Sequence, residues 1–272
     1  MIVVTGATGR FGPIVVEDLL TRVPAGEVAV VARDPGKAAP FADRGVEVRR
    51  ADYDDPESLR RAFDGADRLL FTSASDTTPG VRARQHTNVV DAAAKASVGH
   101  VVYTSAITAE DGQSFLADHT VTERAIRDAG LSHTFLRNTF YTEELVRPEL
   151  LAAAVEAGEL PAPRHEHPLV TAPFADLALA ASAVLTGDGH EGAVYELRGP
   201  GWTYPELAQA LSEASGTPVM HREISDDDAG GMAFVLPLLR LPQFGTPAPD
   251  LERLLGRPVI PLEDTVRAAL AA

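Results

Sequence analysis

The chain opens on a short apolar run, Ile2-Val3-Val4, followed at once by Thr5-Gly6-Ala7-Thr8-Gly9-Arg10-Phe11-Gly12. After it comes a stretch with helical spacing, in which Phe11, Ile14, Val15, Leu19 and Val23 can share one face. A strand, a glycine loop and a helix N-terminus in that order restrict the fold more than any other feature of the sequence. Gly6 permits the tight turn out of the strand. Gly9 lets the backbone approach a pyrophosphate with no Cβ in the way, and Gly12 lets the helix pack close against the sheet. The first turn of the helix then offers unpaired N–H groups and a partial positive charge to an anion. The spacing is G-x-x-G-x-x-G, not G-x-G-x-x-G. Alone, the glycines would also suit a plain structural turn; their place between strand and helix makes them a dinucleotide loop. Gly6, Thr8, Gly9, Arg10, Phe11 and Gly12 are its candidate contacts.

The alternation continues downstream. Strands are predicted at 27–32, 46–51, 68–72, 100–104 and 132–136, and helices at 59–63, 81–96 and 118–129. This β-α-β-α order implies an α/β, Rossmann-like doubly wound parallel sheet with right-handed crossovers. After Tyr141 the pattern loosens, and Pro148, Pro161, Pro163 and Pro168 punctuate the chain. A helix at 174–185, a strand at 194–197, a helix at 204–214, a strand at 219–223 and a last helix at 262–270 remain legible. The expected division is a Rossmann domain over 1–141, with return segments from 170–200, and a smaller C-terminal α/β lobe over 142–272 that covers the substrate.

The tip of the second strand meets the adenosine ribose in such folds. NAD-binding chains place an Asp or Glu there, whereas this one reads Ala32-Arg33-Asp34. A guanidinium pairs with a 2′-phosphate, and Arg10 and Lys37 add charge nearby. NADPH is therefore the expected cofactor and NADH the weaker candidate, through Asp34. Asp52 and Tyr53 end the third strand, where the Asp52 carboxylate could accept a bond from the adenine amino group or simply serve a turn. Thr72, Ser73 and Ala74 end the fourth strand and should run past the cofactor.

Composition excludes several alternatives. There is no cysteine, so disulfides, thiolate nucleophiles and Cys-ligated metals are ruled out. Acidic residues number 39 against 24 Lys+Arg, a formal net charge of -15. Such a surface repels phosphate backbones and anionic membranes, so no nucleic-acid or membrane partner is expected. No signal-peptide pattern precedes the first strand and no apolar run is long enough to span a bilayer, which makes a cytoplasmic location the expectation. His165-Glu166-His167 resembles a fragment of a metal site but lacks a third ligand, and Asp226-Asp227-Asp228 lacks EF-hand spacing. No metal is expected.

The assembled motifs resemble a known family. Gly6-Ala7-Thr8-Gly9, Val31-Ala32-Arg33, Ala51-Asp52-Tyr53, Val102-Tyr103-Thr104-Ser105, Thr122-Glu123 and Leu136-Arg137-Asn138 are similar to the NmrA-like atypical short-chain dehydrogenase/reductases. Tyr195-Glu196-Leu197-Arg198-Gly199-Pro200 and Leu251-Glu252-Arg253-Leu254-Leu255-Gly256-Arg257-Pro258 resemble the branch of type 2 NAD(P)H:quinone oxidoreductases. Between Ile224 and Pro249 the chain reads shorter than that pattern. The resemblance implies NADPH-dependent reduction of a quinone or similar small electrophilic acceptor; a monomer or homodimer is expected. The alternative within the same family is a non-catalytic NADP(H) sensor that acts through a protein partner.

Ordinary short-chain dehydrogenases use Tyr-x-x-x-Lys, and here the only lysines, Lys37 and Lys95, follow no tyrosine at that spacing. His119 and Glu123 lie four apart and share a face of one predicted helix. By resemblance that helix flanks the nicotinamide, so His119 could donate a proton or orient a substrate; it could equally be a first-turn surface residue. Asn138 and Tyr141 are the other candidate catalytic residues, with structural turn roles open to both. Glu123 reads as an ion-pair or capping partner.

Overall fold

The computed structural model describes residues 1–107 and 116–272. In chain order its strands are β1 Ile2–Val4, β2 Val28–Ala32, β3 Glu47–Arg50, β4 Arg68–Phe71, β5 His100–Ala106, β6 His133–Asn138, β7 Phe140–Tyr141, β8 Glu159–Pro163, β9 Leu169–Ala172, β10 Val194–Leu197, β11 Gly201–Trp202 and β12 Met220–Ile224. The chain divides into two compact units: residues 1–138 with 177–196, and residues 139–176 with 197–272.

The first unit holds a seven-stranded sheet in the order β3-β2-β1-β4-β5-β6-β10. The pairs among β1 to β6 are all parallel, with Val3 opposite Ala29 and Leu69, and Ala106 opposite Asn138. This is the doubly wound order, and its direction reverses between β1 and β4, which is where such sheets bind ligands. The central strands are mostly apolar; β2 reads Val-Ala-Val-Val-Ala and is buried at every residue, as expected of a sheet covered on both faces, while the edge strand β3 reads Glu-Val-Arg-Arg and is partly exposed. The core gathers Val3, Phe63, Leu69, Phe71, Val89, Tyr103, Ile126 and Phe135. The helices Gly12–Arg22, Val81–Lys95 and Ala117–Asp128 follow their strands as expected. The helix expected at 59–63 starts earlier, at Pro56, because Asp55 caps it by accepting from Ser58 N–H at 3.1 Å.

The second unit carries a three-stranded sheet, β11-β9-β7, and a two-stranded one, β12-β8. The strand expected at 219–223 is β12, paired in parallel with β8. Helix Tyr204–Ser215 begins with a capping box formed by Thr203 and Glu206. Asp176 is fully buried and accepts from Arg257 at 2.5 Å and from Ile260 N–H at 2.6 Å, which ties the 250–262 segment to this unit. Among the described residues no helix is long and apolar enough to cross a membrane.

Candidate active site

The glycine loop follows β1 at the switch point of the sheet. Gly6 has φ +65°, a left-handed conformation that a side chain disfavours, and a Cβ there would approach the Thr72 side chain to 3.0 Å. A Cβ on Gly12 would lie 2.3 Å from the Gly6 carbonyl oxygen and 2.6 Å from Ala7 Cα, so the helix can start this close to the loop only with glycine. Gly9 differs. A Cβ there would meet nothing nearer than the Gly6 carbonyl at 3.4 Å, an ordinary contact, and its φ is not positive. Two of the three glycines are therefore demanded by the chain's own packing, and the third is not. Thr8, Gly9 and Arg10 are exposed, while Phe11 is buried and begins a helix with no side-chain cap on its first N–H groups.

At the tip of β2, Arg33 is exposed and its guanidinium makes no hydrogen bond among the described residues. Asp34 behaves otherwise: its Oδ1 accepts from Gly36 N–H at 3.0 Å and caps the turn Pro35–Ala38 that carries the exposed Lys37. After β3, Asp52 Oδ1 accepts from Asp54 N–H at 3.0 Å. The Tyr53 hydroxyl lies 2.6 Å from Thr5 Oγ1 and 2.7 Å from the Thr72 carbonyl, and burial pushes its pKa up. Tyr53 thereby ties the end of β1 to the end of β4, and Thr72 Oγ1 adds a bond to the Thr5 carbonyl at 2.9 Å.

The backbone leaving β4 is held by buried side chains. Ser73 N–H donates to Thr104 Oγ1 at 2.8 Å, and Ala74 N–H donates to His86 Nε2 at 2.9 Å. The second bond makes His86 Nε2 an acceptor, so the proton of the neutral ring sits on Nδ1 and is given to Thr122 Oγ1 at 2.7 Å. The Tyr103 hydroxyl then finds its acceptor at His119 Nδ1, 2.8 Å away, which leaves the His119 proton on Nε2. His119 is buried, not a surface residue of the first turn. Burial, together with the nearby Arg82 guanidinium, lowers the pKa of His119 to about 3. His86 is likewise lowered to about 3, by burial first and then by its neighbours His119 and Arg82. Both imidazoles are neutral near pH 7.

Glu123, one turn beyond His119, is the centre of an ion-pair cluster. Arg137 binds it in a fork at 2.9 and 2.8 Å, Ser105 Oγ donates to it at 2.7 Å, and Arg137 also reaches Glu196 at 3.1 Å. The Glu123 bond raises the Arg137 pKa above its ordinary value. Asn138 closes β6 and is buried, with neither Oδ1 nor Nδ2 bonded. In the second unit, the Tyr141 ring stacks on Phe174 at 3.9 Å between centroids. That unit also holds a partly open pocket of about 230 Å³ between Thr142, Pro173, Trp202, Val259 and Leu262. Trp202 is buried there and donates from Nε1 to Thr171 Oγ1 at 2.8 Å.

Sequence reasoning singled out His119 but not the residues that set its state. Tyr103 reads as one more aromatic in a buried strand, and His86 as a polar position on a helix; nothing local links them to a histidine 16 or 33 positions away. His165 Nδ1 bonds the His167 carbonyl at 2.7 Å, and among the described residues no group of three or more His, Asp or Glu could hold a metal ion.

The sheet order, the glycine loop at its switch point and the buried polar cluster beside it define a Rossmann-type α/β protein of the short-chain dehydrogenase/reductase superfamily. The chain belongs to the NmrA-like family, whose model matches residues 1–230. It is 40% identical over 230 residues to quinone oxidoreductase 2 of Escherichia coli, covering 84% of this chain and 79% of that protein. The crystal structure of a Citrobacter sp. triphenylmethane reductase complexed with NADP(H) superposes with a TM-score of 0.92 at 38% identity, over 99% of this chain and 100% of that one. The NADPH-dependent quinone oxidoreductase of Escherichia coli complexed with NADPH gives 0.85 at 34% identity, over 98% and 99%.

Proposed function

We propose that this chain is an NADPH-dependent oxidoreductase that reduces a quinone or a similar small electrophilic acceptor by direct hydride transfer. The observation that carries the reading is Gly9, a glycine at the mouth of the loop that the chain's own packing does not require, in a protein similar along its whole length to reductases solved with NADP(H) and NADPH. The N–H groups of the loop and of the following first turn bind the pyrophosphate. Arg33 pairs with the 2′-phosphate, with Arg10 and Lys37 close in sequence to add positive charge. Asp34 is committed to its own turn and offers little to a 2′-hydroxyl, which favours NADPH over NADH.

NADPH, when bound, supplies the hydride. The protein's part at the acceptor is orientation, which can remove much of a barrier when the reacting atoms are held in line. His119, neutral and with its proton on Nε2, acts as a hydrogen-bond donor to an acceptor oxygen and not as a titrating acid. Tyr103 is a positioning residue that fixes this tautomer, and Asn138 and Tyr141 are further candidate contacts. A quinone suits a site without Tyr-x-x-x-Lys, because the hydroquinone anion left by hydride addition takes its proton from water.

The test is to follow loss of the near-ultraviolet nicotinamide absorbance with a panel of quinones. Turnover with NADPH and weaker turnover with NADH are expected, and Arg33→Ala should weaken NADPH binding far more than NADH binding. Tight NADPH binding with no turnover on any acceptor would overturn the catalytic reading and leave the sensor.

A further inference from the structure

The pocket in the second unit shares no lining residue with the glycine loop or with the candidate catalytic groups, and its polar side chains do not satisfy one another. Thr142 and Thr171 line it; they are 4% and 3% exposed, and their hydroxyl oxygens lie 2.8 Å apart. Thr171 Oγ1 also accepts from Trp202 Nε1 at 2.8 Å. This short chain has three donor protons and only two acceptor oxygens. Trp202 gives its proton to Thr171, and one threonine gives its proton to the other. The remaining hydroxyl proton meets no acceptor among the described residues. A buried donor left in that state is costly and correspondingly rare, so the chain is complete only when an occupant of the pocket accepts from it.

Size and charge narrow the occupant further. The pocket measures about 230 Å³, whereas a water takes up about 30 Å³ and an apolar cavity of about 150 Å³ already holds a benzene ring. Its walls suit a ring: Trp202 is pinned by its Nε1 bond and by edge-on contact with Tyr204 at 5.9 Å between centroids, and Pro173, Pro200 and Pro261 present no N–H. Two exposed carboxylates, Glu206 and Glu263, also line the pocket, and no lysine, arginine or histidine does. Glu206 commits Oε2 to the Thr203 N–H and hydroxyl, while Glu263 makes no ion pair or hydrogen bond among the described residues. Such a lining repels a carboxylate or phosphate and attracts a cation.

We propose that this pocket is a second small-molecule site, which takes a ring-sized organic amine bearing a carbonyl: the carbonyl oxygen accepts the spare threonine proton, the ring lies among Trp202 and the prolines, and the ammonium faces Glu206 and Glu263. The inference does not rest on the NADP(H) reading. Trp202 is the only tryptophan of the chain, so its emission, excited where tyrosine does not absorb, reports on this pocket directly. The cofactor-free protein is titrated with para-aminomethylbenzamide, which has both groups, with benzylamine, which lacks the carbonyl, with benzamide, which lacks the ammonium, and with benzoate. The first should change the emission saturably, with half-saturation at about 1 mM or below, as expected of a well-placed fragment. Benzylamine and benzamide should each bind at least about fivefold more weakly, and benzoate more weakly still. Glu263→Gln, a change at an exposed position, should weaken para-aminomethylbenzamide by about threefold or more and leave benzamide unchanged. A response that is absent or merely linear with all four probes overturns the site and leaves a water-filled recess. Benzylamine binding as tightly as para-aminomethylbenzamide overturns the role of the threonines. Benzoate binding as tightly as benzamide, or indifference of the amine to Glu263→Gln, overturns the role of the carboxylates.

Discussion

Gly12 and Gly9 are three residues apart in one loop and answer to different forces. At Gly12 a methyl group would run into backbone that cannot yield, so Gly12→Ala should destabilise the protein by about 3 kcal/mol, the scale of overpacking against a rigid neighbour. At Gly9 the same methyl group meets only the Gly6 carbonyl oxygen, at 3.4 Å, so Gly9→Ala should change stability by less than about 0.5 kcal/mol. Its effect should appear on NADPH, whose affinity should fall by at least about tenfold where the pyrophosphate must approach the backbone. Urea unfolding and calorimetry on the two variants separate these effects; a Gly9→Ala protein that binds NADPH normally would remove the strongest support for a phosphate at this loop. The loop was legible in the sequence because glycine spacing, strand and helix are all local signals. What spacing does not reveal is which glycine serves the fold and which serves the ligand, since that depends on where the Gly6 carbonyl and Thr72 come to lie.

Helix Val81–Lys95 and helix Ala117–Asp128 are joined through a pair of neutral histidines, and the join has a pH signature. His86 and His119 both have folded pKa values of about 3, below the roughly 6.5 of an unfolded histidine. Between those values the unfolded chain binds protons that the folded one refuses, so stability is fully present above about pH 6.5 and is lost as pH falls toward the folded values. The limiting slope is about 1.4 kcal/mol per pH unit for each histidine. His100, lowered chiefly by burial, adds in the same direction. The melting temperature should therefore decline between pH 6.5 and 5, above the range where carboxylates titrate, and His119→Gln should flatten that decline. A melting temperature level across this window in wild type would contradict the neutral pair. Elements, more than residues, also show where sequence reading stopped. The central strands β1 and β2 are continuous apolar runs, as is β4 after Arg68, and they were legible as such. Strand β8 is not: it reads Glu-Leu-Pro-Ala-Pro, and proline ordinarily argues against a strand. It persists because it is one half of a two-stranded sheet, where Pro161 and Pro163 sit opposite Arg222 and Ile224 and the missing N–H groups need face no partner on the other side.

The whole molecule is not divided by a single cut in its sequence. The chain completes β6 at Asn138, leaves for the second unit, returns over 177–196 and leaves again. The returning segment carries much of helix Phe174–Thr186, whose Leu177, Ala178, Ala181, Val184 and Leu185 are buried, and most of β10, which flanks β6. It is also bonded to the early sequence. Arg68 Nη1 donates to the Leu185 carbonyl at 2.8 Å, Ser182 Oγ to the Val15 carbonyl at 3.3 Å, and Thr134 Oγ1 to the His190 carbonyl at 2.6 Å. A fragment of residues 1–141, the Rossmann segment without its return segments, would lack all of this. It would expose the apolar face that helix 174–186 covers and the edge of β6 that β10 pairs, and an uncovered sheet edge beside bare apolar surface is an aggregation site. Such a fragment should therefore be insoluble or lack dispersed amide signals by NMR, and should take up no NADPH, although it contains every residue assigned to the cofactor except the neighbours that hold them in place. A 1–141 fragment that stays monomeric, folds cooperatively and binds NADPH as the full chain does would show that the returning segment is an accessory to the nucleotide fold and not a part of it.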